Sequence, residues 1–264
     1  MLVLDQIYKT FNKNTINEKK ALRNLSLTVN EGDFITVIGG NGAGKSTMLN
    51  MIAGVYPIDA GRILLDGRDI TLEKEHKRAA HLGRVFQDPM LGTAANMMLE
   101  ENLAMAFRRG KKRRLGWGIT DAERSRYKEA LARLDLGLEN RLSSKVGLLS
   151  GGQRQALTLL MATLQAPKLL LLDEHTAALD PKTAKKVLEL TQEIVAEEKL
   201  TAMMITHNMK DAIHIGNRLI MMHEGRIIYD ISGEAKKQLS VRDLLLKFEE
   251  ISHDELTNDR MLLN

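Results

Sequence analysis

Phe34-Ile35-Thr36-Val37-Ile38 runs directly into Gly39-Gly40-Asn41-Gly42-Ala43-Gly44-Lys45-Ser46-Thr47. The second stretch fits the pattern G-x-x-x-x-G-K-[ST], with Gly39, Gly44, Lys45 and Ser46 at the fixed places. The apolar residues before it predict a buried strand. Met48, Leu49, Met51 and Ile52 after it predict an apolar helix that begins near Lys45. Strand, glycine loop and helix together form a cradle for phosphate. Glycines let backbone N–H groups turn inward and approach oxygens closely, and the helix adds its positive N-terminal end. The Lys45 ammonium then reaches the β/γ-phosphates, and the Ser46 hydroxyl is a ligand for Mg²⁺.

A second glycine stretch, Leu149-Ser150-Gly151-Gly152-Gln153, precedes an apolar helical run from Ala156 to Leu164. Taken alone it reads as a serine-capped helix start. The unbroken run Leu169-Leu170-Leu171-Leu172 reads as a strand buried on both faces. It ends in Asp173 and Glu174, at the strand edge where open α/β sheets place ligands.

These stretches, in this order, resemble the ATP-binding subunit of an ABC transporter over nearly the whole chain. The matching elements are a Walker A loop at Gly39–Thr47, a Q-loop glutamine at Gln87, the signature at Leu149–Gln153 and Walker B ending at Asp173 and Glu174. A D-loop at Ala178-Leu179-Asp180 and a switch histidine at His207 complete the set. The resemblance implies an α/β fold, a P-loop ABC ATPase core with an antiparallel β subdomain and an inserted α-helical subdomain. The whole chain, 1–264, is then one such domain, with a core lobe of 1–87 and 166–231, a helical lobe of 88–165 and a C-terminal helical tail of 232–264.

It also implies roles. ATP and Mg²⁺ are the expected cofactors, with Gly39, Gly40, Asn41, Gly42, Ala43, Gly44, Lys45, Ser46 and Thr47 around the phosphates. Phe11 is expected to stack on adenine. Ser46, Gln87 and Asp173 are the expected metal ligands, Glu174 the general base that polarises water, and His207 the γ-phosphate contact. Lys45 completes the catalytic set. Ser150, Gly151, Gly152 and Gln153 are expected to bind ATP held by a second copy of the chain, with Asp180 connecting the two sites. Further implied partners are integral-membrane permease subunits and, indirectly, an extracytoplasmic solute-binding protein. The implied place is the cytoplasmic face of the cell membrane, reached through the permease.

The resemblance favours a bacterial importer, and the stretch Arg84–Asn96 looks most like cassettes paired with amino-acid or nucleoside-type permeases. The competing reading is a soluble ABC ATPase of translation or DNA repair, which usually carries a second cassette or a long coiled coil; neither is seen here. Two positions depart from the family pattern: His175 and Gly40 stand where proline, and proline or serine, are usual. His175 is expected to face solvent in its loop, with a pH-sensitive contact as the other reading.

Composition sets the outer bounds. At 264 residues and 44% hydrophobic the chain can bury a large core. Its 38 basic and 34 acidic residues leave +4, so no nucleic-acid partner is expected. Cysteine is absent, which excludes disulfides and thiolate metal sites. No apolar run reaches the roughly 18 residues that span a bilayer. The run Arg108-Arg109-Gly110-Lys111-Lys112-Arg113-Arg114 carries six positive charges in seven residues. Anionic headgroups, an acidic permease loop and plain solvation are its three readings.

Further elements follow from pattern. Residues 1–38 read as antiparallel β structure. Asp66-Gly67 and Glu224-Gly225 read as hairpin turns, and residues 83–86 as a strand. Thr120–Glu123 reads as a capping box that opens a helix to about Leu134. Asp180-Pro181 reads as a helix start, and 201–205 and 218–222 as strands. Leu244, Leu245, Leu246 and Phe248 predict a packed terminal helix.

Overall fold

The computed structural model describes residues 1–111 and 118–250. In chain order the elements are β1 (Leu2–Phe11), β2 (Lys19–Val29), β3 (Phe34–Gly39), α1 (Lys45–Ala53), β4 (Ala60–Leu65), β5 (Arg68–Asp69), α2 (Glu75–Arg78), β6 (Leu82–Val85) and α3 (Leu99–Phe107). They continue as α4 (Asp121–Ala132), α5 (Gly151–Thr163), β7 (Leu169–Asp173), α6 (Pro181–Glu197), β8 (Thr201–Ile205), α7 (Met209–His214), β9 (Arg218–His223), β10 (Arg226–Ser232) and α8 (Gly233–Lys237). Residues 241–250 are helical as well.

Two sheets result. A four-stranded antiparallel sheet has the order β2-β1-β4-β5, and a six-stranded sheet has the order β10-β9-β3-β8-β7-β6. Strands β6, β7, β8, β3 and β9 run parallel, and β10 closes the edge antiparallel to β9. Residues 1–38 are therefore not uniformly antiparallel. β3 leaves the first sheet and joins the second, because a fully apolar strand has two faces to bury and only the centre of a covered sheet offers that.

The parallel strands show this two-sidedness residue by residue. Leu169 and Leu171, with Met203 and Ile205, pack with the antiparallel sheet and α1. Leu170 and Leu172, with Ala202 and Met204, pack with α5, α6 and the helices of residues 99–142. The alternation follows from the period of two along a strand. Between β6 and β7, neighbours in the sheet, the chain passes through α3, α4 and α5.

Local chemistry sets the helix starts. Thr120 accepts from the Glu123 N–H at 3.3 Å, while the Glu123 carboxylate accepts from the Thr120 N–H at 2.8 Å. Asp180 accepts from the Thr183 N–H at 3.1 Å, with Pro181 in the first turn of α6. Both hairpin turns place two residues at positive φ: Asp66 at 52° and Gly67 at 75°, Glu224 at 43° and Gly225 at 79°.

The terminal helix packs through one stripe only. Leu244 is buried and Phe248, one turn on, packs beside it, whereas Leu245 and Leu246 are each 46% exposed. Two of four apolar positions thus face water, since an i, i+4 pair fills the narrow seat. The Phe248 ring meets His223 edge-on and lies 3.6 Å from where a Cβ on Gly40 would sit. Before this helix, the Lys236 ammonium is buried and donates to the Ile215 and Gly216 carbonyls beyond α7.

Burial pushes the Lys236 pKa from 10.5 down to about 8. Between those values the folded chain has shed the proton while the unfolded chain still holds it. The contribution of this group to stability is therefore lowest below pH 8 and rises with pH through the window, by at most about 1.4 kcal/mol per pH unit. Urea unfolding of wild type and Lys236→Met just below pH 8 and near pH 10 should show the wild type gaining on the variant. A constant difference would contradict the buried cation.

Candidate functional site

Three neighbouring strands deliver the site. Val37 of β3 pairs with Ile205 of β8, and Ile205 pairs with Asp173 of β7. Just past these rungs lie the glycine loop, Thr206-His207 and Glu174. The loop keeps its shape because side chains are excluded. A Cβ on Gly39, at φ 149°, would lie 2.2 Å from the Met222 carbonyl oxygen. One on Gly44, at φ 99°, would lie 2.6 Å from that of Ala21. Gly44 is also the residue from which α1 starts.

A cavity of about 230 Å³ opens here. Asn41, Gly42, Ala43, Gly44, Lys45, Ser46 and Thr47 line it together with Phe11, Glu174 and His207. The Phe11 ring, part of this lining, stands edge-on to Tyr56 at 5.3 Å. Gly39 and Gly40 lie one step behind and offer their carbonyls to the Lys45 ammonium, at 2.8 and 3.0 Å. Burial pulls the Lys45 pKa down from its ordinary value, opposed by the Glu174 and Asp173 carboxylates.

Ser46 Oγ donates to Asp173 Oδ1 at 3.2 Å. Burial raises the Asp173 pKa, the Ser46 hydrogen bond lowers it, and the adjacent Glu174 raises it further. A partly desolvated carboxylate beside a hydroxyl is a hard oxygen donor set that a divalent cation would stabilise. Among the described residues no group of three or more His, Asp or Glu is placed to hold a metal alone. The donors present suit a cation that takes its remaining ligands from phosphate and water, the habit of Mg²⁺.

Glu174 sits at φ 47° directly after β7. Its Oε1 lies 2.6 Å from His207 Nε2. An ionised carboxylate only accepts, so Nε2 carries the proton of this contact. The Glu174 side chain is 12% exposed and that of His207 47%, which places the pair at the mouth of the cavity.

Other expected site residues lie elsewhere. Gln87 is exposed beyond β6 and is not among the residues lining the cavity. Ser150 caps α5, accepting from the Gln153 N–H at 3.2 Å while its own N–H donates to Gln153 Oε1 at 3.2 Å. With Gly152 and Gln153 it lines a different cavity, of about 630 Å³, between α5 and α6. Gly151 lies close to Leu179. Asp180 caps α6, and the Thr183 hydrogen bonds hold its carboxyl below the ordinary range.

The structure overturns one expectation and qualifies another. His175 does not face solvent; it is 1% exposed and its Nε2 lies 3.0 Å from Thr191 Oγ1 of α6. The left-handed turn at Glu174 reverses the chain so that the next side chain points inward. Burial lowers its pKa to about 4, so the ring is neutral. In the basic run, Arg108 bonds Glu123 and backbone carbonyls, Arg109 reaches the Ala162 carbonyl, and the Lys111 ammonium sits over the Phe107 ring at 3.8 Å. Those charges hold the helices together; Lys112, Arg113 and Arg114 lie outside the described residues.

The sequence reading missed Lys19, whose ammonium lies 3.3 Å from where a Cβ on Gly42 would sit and which lines the same cavity. It also missed Asn50 and Arg84. Asn50 Nδ2 donates to the Ser46 carbonyl at 2.7 Å, and its Oδ1 accepts from Arg84 at 2.6 Å. The position of Asn50 one turn after Ser46 was a usable signal; Lys19 left none, because its proximity arises only when β2 is laid beside the loop.

Comparison with known proteins agrees with this geometry. The family described as ABC transporter matches residues 22–177. A tyrosine transport ATP-binding protein of Clostridioides difficile is 44% identical over 94% of this chain and 99% of its own length. The spermidine/putrescine import ATP-binding protein PotA of Haemophilus influenzae is 34% identical over 87% of this chain and 57% of its own. The post-hydrolysis dimer of the ATP-binding cassette MJ0796 with ADP and Pi superposes with a TM-score of 0.76, at 28% identity over 88% of this chain and 98% of that one. The ADP conformation of MJ1267 gives 0.74, also at 28% identity, over 90% and 93%. The chain belongs to the ABC transporter family, as an ATP-binding, ATP-hydrolysing cassette.

Proposed function

We propose that the chain is the energy-coupling ATPase of a solute importer. It sits at the cytoplasmic face of the membrane against permease subunits and acts indirectly with an extracytoplasmic solute-binding protein. The near end-to-end similarity to a tyrosine transport subunit makes an amino acid the best-supported solute class. Among the described residues no helix is long and apolar enough to cross a membrane.

One observation carries the mechanism: Lys45, Glu174 and His207 share one cavity, while Ser150 of the same chain borders another. A second copy placed head to tail brings its Ser150–Gln153 helix end to the open side of the ATP held by the first. Each nucleotide is then enclosed by two chains, and hydrolysis releases them. The dimeric cassette structures among the structural relatives support this arrangement.

Within one site Glu174 takes the proton of the attacking water, and His207 orients the carboxylate and the γ-phosphate. Lys45 leaves the Gly39 and Gly40 carbonyls to balance charge on the phosphates, and Lys19 adds a second cation beside Gly42. Phe11 supplies a flat face for adenine, and Asp180 links the paired sites. Ser46 and Asp173 would hold Mg²⁺, with Gln87 as a third ligand on approach; the ion supplies charge neutralisation on the β- and γ-phosphates.

Glu174→Gln should keep ATP binding and slow hydrolysis by about 10²-fold or more, the scale of a lost general base. Light scattering should then find an ATP-dependent dimer that the wild type only passes through. Near-normal turnover would place the base on another residue.

Lys19→Ala should raise the KM for ATP several-fold, about what one partly exposed charge–phosphate contact contributes, with kcat within about twofold. Measured against NaCl, the variant should show a shallower salt dependence of KM. An unchanged KM would leave Lys19 as a solvated residue on β2.

A further inference from the structure

The segment from Glu174 to Asp180 is fastened to α6 at both ends. Asp180 caps the helix through the Thr183 N–H, and His175 reaches Thr191 two turns further along. Thr183 and Thr191 are eight residues apart, about 12 Å along the helix axis. Between the two anchors the segment is a set of tight turns. The Glu174 carbonyl accepts from the Ala177 N–H at 3.0 Å, and the Thr176 carbonyl from the Leu179 N–H at 3.2 Å. Upstream, the Glu174 N–H donates to the Ile205 carbonyl at 3.2 Å.

The protons of the His175 anchor can be assigned from its surroundings. Thr191 Oγ1 donates to the Val187 carbonyl at 2.7 Å, which uses its one hydrogen. It can therefore only accept from the imidazole, so His175 carries its proton on Nε2 and donates. Nδ1 is then a bare acceptor, and among the described residues it has no hydrogen-bond partner. A buried acceptor without a partner is destabilising. An apolar side chain would fill the space without that penalty, so packing alone does not account for histidine here. What histidine adds is one directed N–H, aimed at α6 from the residue after Glu174.

The backbone at Glu174 makes that bond matter. A non-glycine residue at φ 47° is held there by its neighbours. The constraints on the downstream side are the short turns and His175. The same backbone turn decides whether the Glu174 carboxylate points at His207, 2.6 Å away, or elsewhere.

We propose that His175 is a positioning residue for ATP hydrolysis: its Nε2–H bond to Thr191 holds the left-handed turn at Glu174 and so aims the carboxylate into the phosphate cavity. This rests on the reading of Glu174 as general base. It gives a role to the position at which the chain departs from the proline usual in the family. Proline offers no side-chain donor to α6; histidine supplies one. The first turn of α6 also carries the signature helix, since a Cβ on Gly152 would lie 2.0 Å from Thr183 Cγ2. The aim of the base is thus referenced to the helix that supports the signature.

The test is steady-state ATPase kinetics on the full chain, with nucleotide binding followed by a fluorescent ATP analogue. His175→Asn removes the distal donor and Thr191→Val removes the acceptor at nearly constant shape. Each should lower kcat about 10-fold with KM and analogue binding within twofold, and the double variant should be no worse than either single one. His175→Gln, whose Nε2 reaches about as far as that of histidine, should recover kcat to within threefold of wild type. Placed on Glu174→Gln, His175→Asn should lower turnover no further. Wild-type kcat in His175→Asn or Thr191→Val, additive losses, or an equal loss in His175→Gln would overturn the proposal. If His175→Asn does not fold, Thr191→Val decides alone. Full turnover by Glu174→Gln would instead overturn the assignment of the base, a separate result.

Discussion

The register of three parallel strands governs everything else. Val37, Ile205 and Asp173 lie on one rung across β3, β8 and β7, and the Thr206 N–H continues the ladder to the Val37 carbonyl at 3.2 Å. Glu174, His207 and the first glycine of the loop, Gly39, each lie within two residues of that rung. A slip of one residue in β8 would turn its alternate side chains to the opposite face. It would bury Met204 where Met203 belongs and carry His207 away from Glu174. The two cores on either side of the sheet accept different side chains, so they enforce the register that the site requires.

The phosphate loop is held by exclusion as much as by attraction. Backbone carbonyls of Met222 and Ala21 stand where side chains of Gly39 and Gly44 would be. The loop is therefore clamped between β9 on one side and the antiparallel sheet on the other. That sheet contributes more than support: through Phe11 and Lys19 it brings an aromatic face and a cation to the cavity. The Arg84–Asn50–Ser46 chain of hydrogen bonds ties the same loop to β6, next to the residues that lead to Gln87.

What the sequence revealed is what local chemistry decides. The glycine spacing, the apolar run before Asp173, the cap at Asp180 and the turns at Asp66-Gly67 and Glu224-Gly225 each need only their neighbours, and they stand where expected. Strand partnership was not legible in the same way. β3 follows two antiparallel strands and has no local mark of leaving their sheet; only its two-faced apolarity hints at it. His175 misled because a histidine in a loop after a strand is ordinarily wet, and one positive φ at Glu174 reverses its direction. The intramolecular partners of Arg108 and Arg109 were not legible either, because guanidinium groups satisfy helix-end carbonyls as readily as they meet an anionic partner.

The Phe248 ring brings the terminal helix against Gly40 of the glycine loop. The residue that opens the phosphate loop's interior has no side chain, and the ring of the terminal helix occupies the neighbouring space. A side chain at position 40 would begin in ordinary van der Waals contact with that ring, 3.6 Å from its Cβ, so the ring covers the loop there without crowding it. Removing the terminal helix would therefore uncover Gly40 at the edge of the loop and open that face to solvent.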